Sequence, residues 1–412
     1  MFTLNFIIIL LVVFVDYLGL AIIYPVFAAL IFDPSYALLP EGSSAIFSGA
    51  ILGILIGLTP LTQFFSAPIL GLLSDYYGRR RLILYGMIVG CVGYALAIVG
   101  VWCHSLYLLL IYRVCVGISE GTIGVAQAMI GDISTEEIKA RRFALSSAAA
   151  GIGFMIGPFL GGILADPSIA SWTGYEAPFA AALMMCFVNV ILAAFGFSET
   201  FQPSQKKEFK LFEGIDNLCK VFFWPKLYWL FLATFAFSFG WSFFNEFIPI
   251  LLRSNFSFST SEVGNYYAYG GVWYALSAGL AISALMNYFS PEKMIVKASI
   301  GCGLCMLIFI FIPESYYIWW ILPPFMLMLA LTFPTTAALV SNYASKSNQG
   351  EVFGVYQSVM AAAMSLSPLL LGGVVGAYPA WISWGGALAM MVAAFSFWKI
   401  CHQAAYPQLI ED

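Results

Sequence analysis

Twelve stretches of this chain are apolar over a length of about 20 residues or more, and no other feature constrains its fold so strongly. They run over about 3–31, 44–73, 82–103, 105–131, 143–165, 177–198, 227–252, 262–286, 294–313, 316–343, 352–377 and 379–401. A bilayer core about 30 Å thick is crossed by about 20 residues of α-helix. Backbone N–H and C=O groups find no water there, so each run must pair its own backbone and is expected to be helical. Composition agrees: 61% of the 412 residues are hydrophobic and only 9% carry charge, against roughly 25% in an ordinary soluble domain. A soluble globule with so few charges could not cover its surface, whereas lipid can. The first run holds a single charged residue, Asp16, and lacks the basic start and small-residue cleavage site of a secretory signal. It reads as a retained membrane helix.

Between the sixth and seventh runs lies the one long connection, residues 199–226, which includes Gln205-Lys-Lys-Glu-Phe-Lys210. It divides the chain into an N-terminal six-helix bundle, 1–198, a polar linker, and a C-terminal six-helix bundle, 227–412. Lysine and arginine set the orientation. Arg79, Arg80, Arg81, Lys139, Arg141, Arg142, Lys206, Lys207, Lys210, Lys220, Lys226, Lys293, Lys297, Lys346 and Lys399 all fall on one side. Arg253 alone falls on the other, and Arg113 lies within a run. Basic residues mark the cytoplasmic side, so both termini are expected to be cytoplasmic. The halves also echo one another at an offset of 210: Asp132 with Asn342, Phe143 with Phe353, and Pro158 with Pro368. Gly161 and Gly162 have a counterpart in Gly372 and Gly373, one residue later. Parallel six-helix repeats of this kind build one large class of secondary transporters.

Three other classes of function find no support. No basic patch is interleaved with aromatics for nucleic acid. Cys302 and Cys305 have redox spacing, but they lie inside an apolar run without thioredoxin-like context. His104 and His402 stand near membrane edges, and no metal site is expected.

The sharpest motif is Gly71-Leu-Leu-Ser-Asp75-Tyr-Tyr-Gly78-Arg79-Arg80-Arg81, between the second and third runs. Gly78 permits a tight turn, and Asp75 can accept hydrogen bonds from arginines or a helix N-terminus. In the fifth run, Gly153, Gly157, Pro158, Gly161 and Gly162 combine close helix approach with a proline bend. In the fourth run stand Arg113, Gly117 and Glu120, with Gly131-Asp132 at its end. These three segments resemble motifs A, C and B of the major facilitator superfamily, and Asp16-Tyr-Leu-Gly19 with Tyr24-Pro25 is similar to the first helix of its twelve-helix drug:proton antiporters, tetracycline exporters included. Tyr76 replaces a frequent arginine in the first motif, and Val116 a common glutamine in the third. The resemblance implies a cytoplasmic gate in which Asp132 joins Asp75 and Arg79 in a charge relay, with Gly71, Gly78 and Arg80 beside them. It implies a substrate path between the two halves. The glycine-proline segment is the feature that favours export.

Ionisable side chains inside apolar helices are costly unless paired or wet, and so mark function. Four stand out: Asp16, Arg113, Glu120 and Glu246. Arg113 and Glu120 are seven apart and share a helix face. Asp16 or Glu120 is expected to carry a proton with Arg113 tuning it, unless the three form a structural ion pair. Glu246, just before Pro249, is either an outer gate or an interfacial carboxylate. Asn189, Asn245, Gln127 and Gln357 are further candidate polar contacts. The reading is therefore an all-α transporter of the inner membrane, expected to be a monomer and not an enzyme, with protons and a small amphipathic molecule as its partners. With no nucleotide-binding loop and no other cofactor, its energy source is a proton gradient. An uptake symporter, a dedicated metabolite or siderophore transporter, and a non-transporting sensor or enzyme remain the alternatives.

Overall fold

The computed structural model describes residues 4–33, 36, 38–40, 42–134, 136–199, 225–278, 291–343 and 349–403. Every regular element among them is helical. In chain order they are α1 (Leu4–Ala21), α2 (Tyr24–Phe32), α3 (Ala45–Tyr77), α4 (Arg79–Trp102), α5 (Leu106–Glu120), α6 (Ile123–Asp132), α7 (Glu136–Ala165), α8 (Ala177–Gly196), α9 (Pro225–Phe256), α10 (Thr260–Leu276), α11 (Pro291–Ile308), α12 (Ile318–Tyr343), α13 (Gln349–Ala377) and α14 (Trp381–Gln403). Among the described residues, 11 segments are long and apolar enough to cross a membrane, α1–α2 and α5–α6 each counting as one. The eighth expected run is represented by α10, and its far end lies outside the described residues. So does the linker, apart from Glu199 and the first residues of α9.

The helices show why their hydrophobicity runs all the way round. On α8, Phe179, Ala182, Cys186, Asn189 and Ala193 are buried at helical spacing, while Phe187, Ile191 and Phe195 form an outward stripe. Phe195 is 89% exposed, a position that only lipid makes favourable for a phenyl ring. The same division recurs on α14, with Met390, Ala394 and Phe397 inside and Leu388, Val392 and Phe395 outside.

The described residues of Met1–Ser44, Ile54–Glu213 and Phe258–Ala268 form one compact unit, and those of Ala45–Gly53, Gly214–Ser257 and Tyr269–Asp412 a second. Within the first, α1 packs on α7 and α8, and α4 on α5 and α8. Within the second, α9 packs on α13 and α14, and α11 on α12 and α14. These are the same four pairings, displaced by six membrane spans, so each unit is built on one plan. The offset of 210 residues noted above is the sequence trace of that repeat. Cys302 and Cys305 are buried free thiols within α11.

Among the described residues, two spans are interrupted in mid-course. The first run, continuous in the sequence, divides after Ala21 and resumes at Tyr24. Pro25 explains the break, because it carries no N–H for the Ala21 carbonyl and its ring crowds that turn. The fourth span divides at Gly121 and Thr122, where the Thr122 hydroxyl donates to the Ser119 carbonyl at 2.7 Å and the Gly121 N–H reaches back to Gly117 and Ile118. A short polar side chain that competes for backbone carbonyls loosens a helix.

Candidate functional site

The two carboxylates of the apolar N-terminal spans lie beside these two interruptions. Asp16 is partly buried on α1, one and a half turns before its end, and Glu120 is the last residue of α5, only 7% exposed. The Glu120 carboxyl lies within electrostatic reach of both Asp16 and Arg113. Tyr17, next along α1, is within reach of both carboxyls. Among the described residues neither Asp16 nor Glu120 makes a side-chain hydrogen bond or a close ion pair. Two acids on separate helices are thus near enough to feel each other's charge, with a cation close by and no fixed partner.

Arg113 is 6% exposed and spends its guanidinium on backbone. Its Nε donates to the Leu55 carbonyl, and its Nη2 to the Ile56 carbonyl at 2.8 Å, both on α3. Its other face lies 4.9 Å from the centre of the Phe27 ring on α2, a favourable place for a cation. Three further bonds join the same two helices. Thr59 Oγ1 donates to the Arg113 carbonyl at 2.9 Å, Ser66 Oγ to the Gly117 carbonyl at 3.1 Å and Gln63 Nε2 to the Glu120 carbonyl at 3.3 Å. Gly117 makes this approach possible: a Cβ there would sit 2.6 Å from the Thr59 carbonyl oxygen. The result is a polar ladder from Arg113 to Glu120 that holds the end of α5 against α3.

The glycines of the fifth span line up on the first. A Cβ at Gly153 would meet the Phe14 carbonyl, one at Gly157 would meet the Leu18 carbonyl 2.8 Å away, and one at Gly161 would overlap the Ile22 carbonyl. Glycine spacing of four on α7 therefore matches carbonyl spacing of four on α1, straddling Asp16 and ending at the break. Gly162, on a different face of α7, approaches Gly264 of α10, its Cβ position lying 2.9 Å from the Gly264 Cα. Pro158 lies within α7. Asn189 adds one more tie, donating from Nδ2 to the Val12 carbonyl of α1 at 3.0 Å.

A second cluster forms at the turn between α3 and α4. Gly71 and Asp75 stand in the closing turns of α3, the Asp75 side chain lying outside the described residues. Gly78 has φ of 94° and supplies the N-cap of α4, a conformation natural to glycine alone. Arg79 is buried, with Nε 2.9 Å from Asp132 Oδ2 at the end of α6. Glu199, just beyond α8, accepts from the backbone N–H groups of Arg79 at 2.9 Å and Arg80 at 3.2 Å. The first N–H groups of a helix have no partner within it, and the helix dipole favours an anion there. Arg80 in turn donates to the Ala194 carbonyl at the end of α8. Nothing in the sequence marks Glu199 for this role: it stands as the first polar residue of the linker, and its partner Arg79 lies 120 residues away.

Glu246 belongs to the second unit, partly buried on α9 one turn before Pro249 and beside the buried Asn245. Gln127 and Gln357 are exposed side chains on α6 and α13. The aromatic residues of α9 are largely core: Phe237, Phe243, Phe244 and Phe247 are buried, and Phe244 packs edge-on against Phe309 and Phe325. Among the described residues no three His, Cys, Asp or Glu side chains are placed to share a metal ion.

Comparison with known proteins follows the same lines. The sequence profile of the Major Facilitator Superfamily matches residues 9–368, and again 230–406. The class C tetracycline resistance protein of Escherichia coli is 26% identical over 395 residues, covering 94% of this chain and 92% of its own length. Quinolone resistance protein NorA of Staphylococcus aureus is 25% identical over 392 residues, covering 92% of this chain and 93% of its own. Among solved structures, the human organic anion transporter MFSD10 (TETRAN) superimposes with a TM-score of 0.70 at 20% identity, over 96% of this chain and 99% of that one. A D-xylose-proton symporter does so with a TM-score of 0.73 at 14% identity, over 96% and 97%. At such identities these two structures establish the fold alone.

Proposed function

Since the chain belongs to the Major Facilitator Superfamily, and so is a multi-pass membrane transporter and not an enzyme, we propose that it is a proton-driven efflux antiporter for a small amphipathic compound. The observation that carries this reading is the pair formed by the partly buried Asp16 and the buried Glu120, each beside an interrupted helix and within electrostatic reach of the other. Two like charges in a poorly solvated site resist being ionised together, so such a pair naturally holds one proton and exchanges it when water or a cationic or polar ligand arrives. In one access state the pair gains a proton from the acidic side. In the other it yields that proton as substrate takes its place. Interrupted helices at membrane depth are a common way to build such a site. Resistance to tetracycline and to quinolones, which the relatives' names record, is what outward movement of an amphipathic compound would confer. The inner membrane as location, a monomer as working form, and a gate built from Gly71, Asp75, Gly78, Arg79, Arg80 and Asp132 complete the proposal. Glu246 is assigned to the same pathway as a secondary polar contact.

The test is proton flux in proteoliposomes under an imposed pH gradient, with tetracycline, a quinolone and a panel of other amphipathic compounds. Proton movement opposite to the compound, abolished by Asp16→Asn or Glu120→Gln, is the expected result. Movement in the same direction would make the protein an uptake symporter. Coupled flux that survives both substitutions would remove the carboxyl pair from the mechanism.

A further inference from the structure

We infer that Arg113 is a positioning residue whose partner is Pro60: its guanidinium takes the place of the N–H that proline lacks, and thereby sets where Glu120 stands. This rests on the reading of Glu120 as a proton carrier and goes beyond it. The argument begins with register. In an α-helix the carbonyl of residue 56 accepts from the N–H of residue 60. Residue 60 is proline and lies inside α3, so the Ile56 carbonyl has no intrahelical donor, and the ring pushes the neighbouring carbonyls outward. A carbonyl left bare in a dry interior is costly. Arg113 Nη2 meets that carbonyl at 2.8 Å and Nε meets the adjacent Leu55 carbonyl, from a side chain 94% buried by the protein.

Pairing a planar fork with two successive carbonyls fixes orientation as well as distance. The bond from Thr59 Oγ1 to the Arg113 carbonyl closes the same contact from the other helix, one residue before the proline. From this anchor the ladder rises through Gly117 and Ser66 to Gln63, which holds the Glu120 carbonyl. Among the described residues the polar contact of Glu120 with α3 is made through its backbone carbonyl, so its carboxyl is placed without being tied. A proton carrier needs that combination of fixed position and free carboxyl. Arg113 therefore acts on Glu120 through geometry first, with its charge a second influence.

The experiment is a cycle of Pro60→Ala, Arg113→Met and the double variant. Two quantities are read on purified full-length protein: the midpoint of thermal unfolding, and the pH midpoint of the infrared carboxyl band that Glu120→Gln removes. Methionine keeps the length of Arg113 and cannot donate. Arg113→Met is expected to lower the folded population about tenfold or more and to shift the titration of that band. Pro60→Ala alone should change both quantities little. In the double variant the new N–H at position 60 answers the Ile56 carbonyl, so thermal stability and the pH midpoint should both return toward those of the unaltered protein. A double variant that titrates like Arg113→Met would show that the arginine acts through charge, and would overturn the inference. So would an Arg113→Met protein that loses stability while its titration stays in place. If no carboxyl band depends on Glu120, the carrier reading fails. The thermal cycle then decides the Pro60–Arg113 pairing separately, rescue supporting it and additive losses refuting it.

Discussion

At the scale of single residues, what the molecule shows is how few charges it keeps and how differently it uses them. Asp16 and Glu120 could be picked out from the sequence because an acid within an apolar helix is expensive and therefore rare. Arg113 was equally conspicuous, but its bonds to Leu55 and Ile56 depend on a helix more than fifty residues away in the chain. Glu199 was invisible for the same reason, since a glutamate at the start of a polar segment signals nothing by itself. Its position predicts a measurable effect. Glu199→Ala removes the acceptor for two N–H groups at the start of α4, and loss of a cap costs about 0.5–2 kcal/mol. Because Glu199 is exposed, the lower part of that range is expected, which for a chain this long is a fall of about one degree in the unfolding midpoint in detergent. Glu199→Gln keeps an acceptor oxygen and should recover part of it. An unchanged midpoint in Glu199→Ala would show that the contact contributes no stability.

At the scale of elements, the interruptions matter more than the helices. The first falls at Pro25, where hydropathy over 3–31 predicts one continuous helix; proline removes a hydrogen bond wherever it lies inside a helix. The second, after Glu120, lies where the sequence predicts a continuous helix over 105–131, because glycine and threonine are common in membrane helices and neither ends one alone. There the competing hydroxyl of Thr122 and the tight packing of Gly121 against Ser66 and Ala67 act together. The glycines of α7 were legible as a close-packing surface, yet nothing in their spacing named the partner. That partner is the backbone of α1 at Phe14, Leu18 and Ile22. Substituting valine at Gly161 would drive a side chain into the Ile22 carbonyl, and overpacking of this kind typically costs about 1–3 kcal/mol. The expected outcome is a protein that reaches the membrane but loses most transport and melts several degrees lower. Gly151→Ala, at a position with open space around its Cβ, should leave both unchanged. Equal effects at the two positions would refute the backbone contact.

At the scale of the whole molecule, the repeat and the charge asymmetry carry the prediction. The two units share one set of four helix pairings, as gene-scale duplication of a six-helix bundle would produce. If the side rich in lysine and arginine is cytoplasmic, Cys103 at the end of α4 lies outside and Cys401 near the end of α14 lies inside. In single-cysteine variants in intact cells, a membrane-impermeant maleimide should label Cys103, which is exposed, and spare Cys401. Labelling of Cys401 alone would invert the topology.

The sequence by itself determined the membrane-spanning architecture, the two-fold repeat and the candidate carboxylates. Each follows from a local rule: lipid demands apolar helices, helices demand internal hydrogen bonds, and a charge that breaks the apolar pattern must have a reason. Only the tertiary structure decided which groups meet: Arg113 with the carbonyls beside Pro60, the α7 glycines with the backbone of α1, and Glu199 with the first turn of α4. Those pairings join residues far apart in sequence. They depend on the register between packed helices, which hydropathy does not encode because both faces of a membrane helix are apolar.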